Sequence, residues 1–245
     1  MSGSKPFASH YFVTAIGTDI GKSWGSALMA RYKRAKGIEV ALAKPVMSGY
    51  DAAQAASCDA GVLLRAMGTP LTPASIDAIA PWRYSAPLSP HRAAELEGQS
   101  LSPAALEQWC LAWLQQRDTS CFTLIEGIGG VMVPLTYHYT VLDWMKALRL
   151  PVILVVSDYL GAISHSLTAL HMLHQAGMTL RAVIVNQASH AVESANSLYT
   201  LQHLSPYCDE VLWAPLPRLD NPDMALTDIE NRTDCKSFFN LVEAL

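Results

Sequence analysis

A lysine and a hydroxyl residue close the run Gly17-Thr18-Asp19-Ile20-Gly21-Lys22-Ser23. Where a turn feeds a helix, unpaired backbone N–H groups converge on one point and the helix dipole adds positive potential there. Lys22 can then lie along β- and γ-phosphate oxygens, and the Ser23 hydroxyl is of the type that ligates magnesium. The strict spacing G-x-x-x-x-G-K-[ST] asks for glycine at position 16; here that residue is Ile16, and glycine arrives one place later. The triplet alone is a weak signal, and its flanks give it meaning. Lys44, in Lys44-Pro45-Val46-Met47-Ser48-Gly49, is either an ordinary loop lysine or a cation that neutralises charge on a transferred phosphoryl group. Glu126 opens Glu126-Gly127-Ile128-Gly129-Gly130 and is either an acidic magnesium partner or a helix cap; the same choice applies to Asp59.

The elements around these residues are legible. Tyr11 to Ile16 reads as a buried strand, Lys22 to about Lys36 as a helix stopped by Gly37, and Ile38 to Ala43 as a second strand. That order favours a right-handed βαβ unit. Asp59 to Met67 reads as helical, whereas four prolines from Pro70 to Pro87 break the next stretch into short pieces. Ser102-Pro103 starts a helix whose buried stripe is Leu106, Trp109, Cys110, Trp113 and Leu114, a core stripe rather than a ligand box. Phe122–Ile125, Val152–Val156 and Ala182–Val185 are short apolar runs without alternation, as in parallel strands buried on both faces. A helix from about Gly161 to Gln175 should bury Ile163, Leu167, Leu170 and Leu173, and a last strand around Val211 to Trp213 leads into Pro215-Leu216-Pro217. The expectation is one α/β domain over residues 1–245, with 1–9 a flexible leader. Its mainly parallel sheet carries helices on both faces and active groups at the carboxyl ends of the strands.

Composition narrows the function classes. Apolar residues make up 51% and charged residues 16%, so the chain is built to fold around a core. A formal charge of −4 argues against nucleic acid as the partner. Five cysteines without CxxC spacing argue against a disulfide-stapled domain or a zinc module. The longest strongly apolar stretch, Pro151 to Val156, is too short to cross a bilayer, so a cytoplasmic location is expected. His165, His171 and His174 share a helix but lack a carboxylate or cysteine at matching spacing, so they read as solvated or satisfied histidines.

Taken together, Val13 to Ser23, Lys44 to Gly49, Glu126 to Gly130 and Leu150 to Val156 resemble the dethiobiotin synthetase family. Ser89-Pro90-His91, Asp143-Trp144, Leu160 to His165 and Asn186 add to the likeness, which runs from about Tyr11 to about Pro222. The resemblance implies a homodimer of P-loop NTPase-like, seven-stranded subunits using ATP and Mg2+. It also implies ring-closing carboxylation of 7,8-diaminononanoate with CO2 or bicarbonate, through a carbamate and a carbamic–phosphoric anhydride. It assigns Lys22, Lys44, Ser48 and Thr18 to catalysis. Asp19, Ile20, Gly21, Lys22, Ser23 and Trp24 would hold the nucleotide, as would Glu126 and Gly129. Asn186, Pro215, Leu216 and Pro217 would form the adenine pocket. Ser23, Asp59 and Glu126 would hold the metal. Asp19, Lys44 and Ser48 would meet the substrate, and Gly161, Ala162, Ile163 and Ser164 would receive its carboxylate across the dimer.

The departures from the family pattern are Ala15, Ile16 and Gly17 for glycine, threonine and aspartate, Ser164 for asparagine, and Ala214 for glycine. They leave a relative with altered substrate, or one that binds nucleotide but has lost turnover, as a second reading. A nucleotide-switched partition or carrier ATPase is a third, although such proteins carry a signature lysine where this chain has Ala15 and Ile16.

Overall fold

The computed structural model describes residues 9–187, 199–200, 202–204, 211–219 and 224–245. The expected leader, Ser9 apart, lies outside them. The described residues include ten strands: β1 (His10–Ala15), β2 (Val40–Ala43), β3 (Val46–Ser48), β4 (Trp82–Tyr84), β5 (Phe122–Glu126), β6 (Pro134–Thr136), β7 (Tyr139–Thr140), β8 (Val152–Ser157), β9 (Leu180–Asn186) and β10 (Leu212–Leu216). The main sheet runs β10-β9-β8-β1-β5-β2, and every pairing in it is parallel. Its central strands are the unalternating apolar runs: Phe12, Val13, Ile153, Leu154, Val155 and Ile184 are fully buried. Each such side chain contributes about 1.5–3 kcal/mol relative to exposure.

Helices cover both faces, as the alternation of β1 shows. Phe12 meets Trp144 of α6 (Val141–Leu148) edge-on at 4.9 Å. Its neighbour Tyr11 points the other way and donates its hydroxyl to the Leu245 carbonyl at the end of the last helix, Lys236–Ala244. That second face also carries α1 (Lys22–Ala35), whose Tyr32 stacks on Phe239 and whose Lys33 lies over the Phe122 ring. The intervening helices are α2 (Asp59–Met67), α3 (Pro73–Ile79), α4 (Pro90–Leu96), α5 (Pro103–Gln115) and, after α6, α7 (Ala162–Gln175).

The main sheet has six strands among the described residues, and four expectations about element bounds and burial are corrected. Beyond β2 the chain turns at Lys44-Pro45, and β3 pairs with β4 in a separate two-stranded sheet. The second strand starts at Val40, because the Ile38 N–H is spent on the Lys33 carbonyl that closes α1. On α7 the buried residues are Ala162, Ser166, Ala169, Leu170 and Leu173, while Ile163 and Leu167 are only half-buried. Trp109 on α5 is likewise half-buried, lying 6.2 Å from Trp82 and 6.1 Å from Trp113. Finally, β10 continues through Pro215, tolerated because among the described residues β10 is an edge strand paired with β9 alone.

Candidate active site

Four strands deliver the chemistry to one edge. The loop after β1, Lys44 after β2, Glu126 at the end of β5 and Asn186 at the end of β9 all sit at carboxyl ends, beside the point where the chain builds the sheet outward in two directions. A cleft of about 430 Å³ opens there. Thr18, Asp19, Ile20, Gly21, Lys22, Ser23 and Trp24 line it, and Lys44, Ser48, Asp59 and Gly129 are among the other lining residues.

The loop's shape is set by Gly21, which has φ +95° just before α1. A Cβ there would fall 2.3 Å from the Asn186 amide nitrogen, which itself donates to the Ile20 carbonyl at 3.0 Å. Asn186 therefore pins the phosphate loop from β9. Helix α1 has no acidic residue in its first turn, and Lys33 and Arg34 occupy its last, the polarity that leaves its N-terminus attractive to anions. The glycine run after Glu126 packs against the same loop through the Val131 N–H and the Ala15 carbonyl, 3.2 Å apart.

At the floor lies a buried charge cluster. Lys44 Nζ is 2.8 Å from Glu126 Oε1, 2.8 Å from Asp59 Oδ2 and 2.8 Å from the Gly127 carbonyl. Glu126 also accepts from Ser23 Oγ at 2.5 Å and Ser26 Oγ at 2.8 Å. The Lys44 side chain is 2% exposed and that of Glu126 1%, whereas the Asp59 side chain keeps 44% of its surface in solvent. Complete burial disfavours the Lys44 ammonium, but the two carboxylates outweigh it and hold its pKa above the ordinary lysine value. Burial pushes Asp59 up, and the Lys44 charge and hydrogen bond more than reverse that, leaving its carboxyl below the usual range.

Lys22 is the opposite case. Its ammonium donates to the Gly129 carbonyl at 2.8 Å and the Gly17 carbonyl at 3.1 Å. Desolvation first, then repulsion from Lys44, lowers its pKa to about 8, with Glu126, Asp59 and Asp19 offsetting only part. Two nearby lysines thus hold their protons very differently: Lys44 touches two carboxylates, whereas the contacts of Lys22 among the described residues are carbonyl oxygens.

The residues expected from the sequence fall into two groups. Those of the phosphate loop, with Lys44, Ser48, Asp59, Glu126, Gly129 and Asn186, come together. Pro215, Leu216 and Pro217 do not line the cleft, and neither do Gly161, Ala162, Ile163 and Ser164. The latter four open α7, after a fully exposed Leu160 and behind a Tyr159–His165 hydrogen bond of 2.6 Å. Sequence reasoning missed Ser26 and the Gly127 carbonyl. Ser26 stands one helical turn beyond Ser23 on the same face of α1, a spacing that could have revealed it.

A family model described as "AAA domain" matches residues 9–223. The ATP-dependent dethiobiotin synthetase of Methylobacterium nodulans is 46% identical over 187 residues, covering 75% of this chain and 83% of that protein. That of Caulobacter sp. strain K31 is 41% identical over 219 residues, covering 89% and 92%. That of Escherichia coli strain K12 is 31% identical over 225 residues, covering 90% and 96%. Among solved structures, a ParA family ATPase from Chlorobium tepidum superposes with TM-score 0.55 over 97% of this chain and 100% of its own, at 10% identity. Apo McdA from Cyanthece does so with TM-score 0.57 over 96% and 98%, also at 10% identity. These two likenesses concern the fold alone. The sequence identities extend over most of the chain and most of each relative, and on them this chain belongs to the dethiobiotin synthetase family.

Proposed function

We propose that this chain catalyses ATP-dependent ring closure of 7,8-diaminononanoate with CO2, giving dethiobiotin, ADP and phosphate. The observation that carries the reading is the pairing of a buried, charge-compensated Lys44 with an anion-seeking Lys22 in one cleft, in a member of this family. A carbamate formed on one substrate amine brings the negative charge that Lys44 can meet from the cleft floor. Ser48 lines the same wall and offers a hydroxyl to that carbamate. Lys22 and the N-terminus of α1 take the phosphate oxygens, with Thr18 beside them. Two ammonium groups converging on the transferring phosphoryl group oppose charge repulsion between carbamate and nucleotide. The second amine then attacks the carbamate carbon of the anhydride, phosphate leaves, and the five-membered ureido ring closes.

Ser23, Asp59 and Glu126 form an all-oxygen donor set of the hard type that suits Mg2+, which keeps several waters and needs only one or two carboxylates. When bound there, the ion would neutralise charge on the β- and γ-phosphate oxygens. Lys44 keeps the two carboxylates together before the ion arrives.

The start of α7, with Leu160 fully exposed and Met132 51% exposed, supports a homodimer in which Gly161 to Ser164 take the substrate carboxylate of the partner's site. Among the described residues no helix is long and apolar enough to cross a membrane, and we place the enzyme in the cytoplasm, where ATP is available. The test is turnover: ADP should form only when diamine and bicarbonate are both present, in step with dethiobiotin. ADP formation that ignores the diamine would overturn the reading.

A further inference from the structure

Glu126 ends β5 with its backbone fixed in the ladder opposite Val13 of β1, but the strand does not fix the plane of its carboxylate. The last torsion of a glutamate side chain is broad, so hydrogen bonds decide which oxygen faces which neighbour. The two oxygens are served unequally. Oε1 accepts from Ser23 Oγ at 2.5 Å and from Lys44 Nζ at 2.8 Å, whereas the donor on Oε2 is Ser26 Oγ at 2.8 Å. Ser23 and Lys44 line the cleft, where the ligands of the proposed reaction pull on both. Ser26 is not among the lining residues; it is fully buried on the face of α1 that meets the end of β5. A serine inside a helix commonly turns its hydroxyl back to the carbonyl four residues earlier. Ser26 gives its proton to Glu126 instead. Of the three donors it is the one set back from the ligands.

We propose that Ser26 is a positioning residue for the metal centre, an inference that rests on the reading of Ser23, Asp59 and Glu126 as the Mg2+ donors. By tying Oε2 to α1, Ser26 stops the carboxylate from turning, so that Oε1 stays with Lys44 and Ser23. Without the hydroxyl, Oε2 is a buried acceptor that has lost its donor, and the carboxylate turns to share Lys44 and Ser23 between both oxygens. The donor set that receives the ion is then no longer prearranged, and metal affinity falls. The phosphate loop, shaped by Gly21 and pinned by Asn186, is untouched by the change.

The test is Mn2+ binding to the whole protein saturated with ADP, read by electron paramagnetic resonance, with ADP affinity in EDTA read by calorimetry. Ser26→Ala should weaken Mn2+ by about tenfold and leave ADP affinity in EDTA within about twofold of wild type. A merely structural role would move both. Ser166→Ala is the control, because Ser166 is also fully buried but its hydroxyl has no partner among the described residues; both affinities should stay at wild-type values. If Ser26→Ala does not fold, Ser26→Cys, which fills the same place with a weaker donor, is read in the same way and should weaken Mn2+ in the same direction. Unchanged Mn2+ affinity, or an equal loss of ADP affinity in EDTA, would overturn the proposal. Wild-type protein that binds no Mn2+ would overturn the metal reading and this inference together, whereas absence of ring closure would overturn the reaction alone, since the readout needs no diamine.

Discussion

Replacing Lys44 by methionine tests the charge cluster at its centre. The substitution keeps an unbranched apolar stem out to the ε position but removes the ammonium and its three hydrogen bonds, to Glu126, Asp59 and the Gly127 carbonyl. Glu126 is then a carboxylate with 1% of its side chain exposed and only the Ser23 and Ser26 hydroxyls to hold its charge. Removing one member of a buried ion pair costs about 3–5 kcal/mol, chiefly because the remaining charge is uncompensated. Asp59 adds little to that cost, since its half-exposed carboxylate can be rehydrated. For a chain of this size each kcal/mol lowers Tm by roughly 2–4 °C, so Lys44→Met should lower it by about 6–20 °C. Glu126→Gln in the same background should recover part of the loss, because the pair is then neutral on both sides. Circular dichroism melts of wild type, both single variants and the double variant close the cycle. A Lys44→Met loss below about 1 kcal/mol, or losses that simply add in the double variant, would refute the reasoning.

Four further outcomes follow from the same geometry. Lys22 titrates near pH 8 in the empty protein, so ATP affinity should fall as pH rises through 8, whereas Lys22→Arg should give a flat profile to pH 10; calorimetry at pH 7 and 9 reads this, and equal profiles would count against it. The same depressed pKa means the folded protein binds fewer protons than the unfolded chain between about pH 8 and the ordinary lysine value of 10.5, so the Lys22 contribution to stability should rise across that window and vanish from the difference in Lys22→Met melts. Lys22→Ala should lower kcat by about 2.7–4 kcal/mol of transition-state stabilisation, and undiminished turnover would remove it from the phosphoryl step. Gly21→Ala should abolish nucleotide binding through its positive φ and its collision with Asn186, and adding Asn186→Ala should restore only part, since the strain remains.

Much of this architecture was legible because local chemistry and tertiary position agree. The unalternating runs at 122–125 and 152–156 are strands of a fully covered parallel sheet, and Gly37 ends α1 with φ +78°. The misses share a physical cause. On α7, apolar character suggested that Ile163 and Leu167 face the core, yet small Ala162, Ser166 and Ala169 lie there instead, with Leu170 and Leu173. Which side of a helix touches the sheet depends on how closely the backbones approach, and periodicity does not encode that. Pro215 looked like the end of a strand because a missing N–H matters in a central strand; at an edge it does not. At the site, glycine and lysine spacing identified the phosphate loop, but the spacing carried no sign that Lys44 is held by Glu126 and Asp59 together. That junction joins residues 82 and 15 positions from Lys44, and only the β2–β5 pairing and the packing of α2 bring them to it. The distribution of Ser23 and Ser26 around the two Glu126 oxygens is likewise a product of the helix meeting the strand end.

The most direct measurement is a crystal structure of the protein with Mg2+, a non-hydrolysable ATP analogue and 7,8-diaminononanoate, grown under CO2. The account predicts Lys22 Nζ drawn off the Gly17 and Gly129 carbonyls onto a γ-phosphate oxygen. It also predicts Lys44 Nζ within about 3 Å of an oxygen of the carboxylated amine. A γ-phosphate bound by Lys22 while the diamine lies uncarboxylated and beyond reach of Lys44 would contradict it.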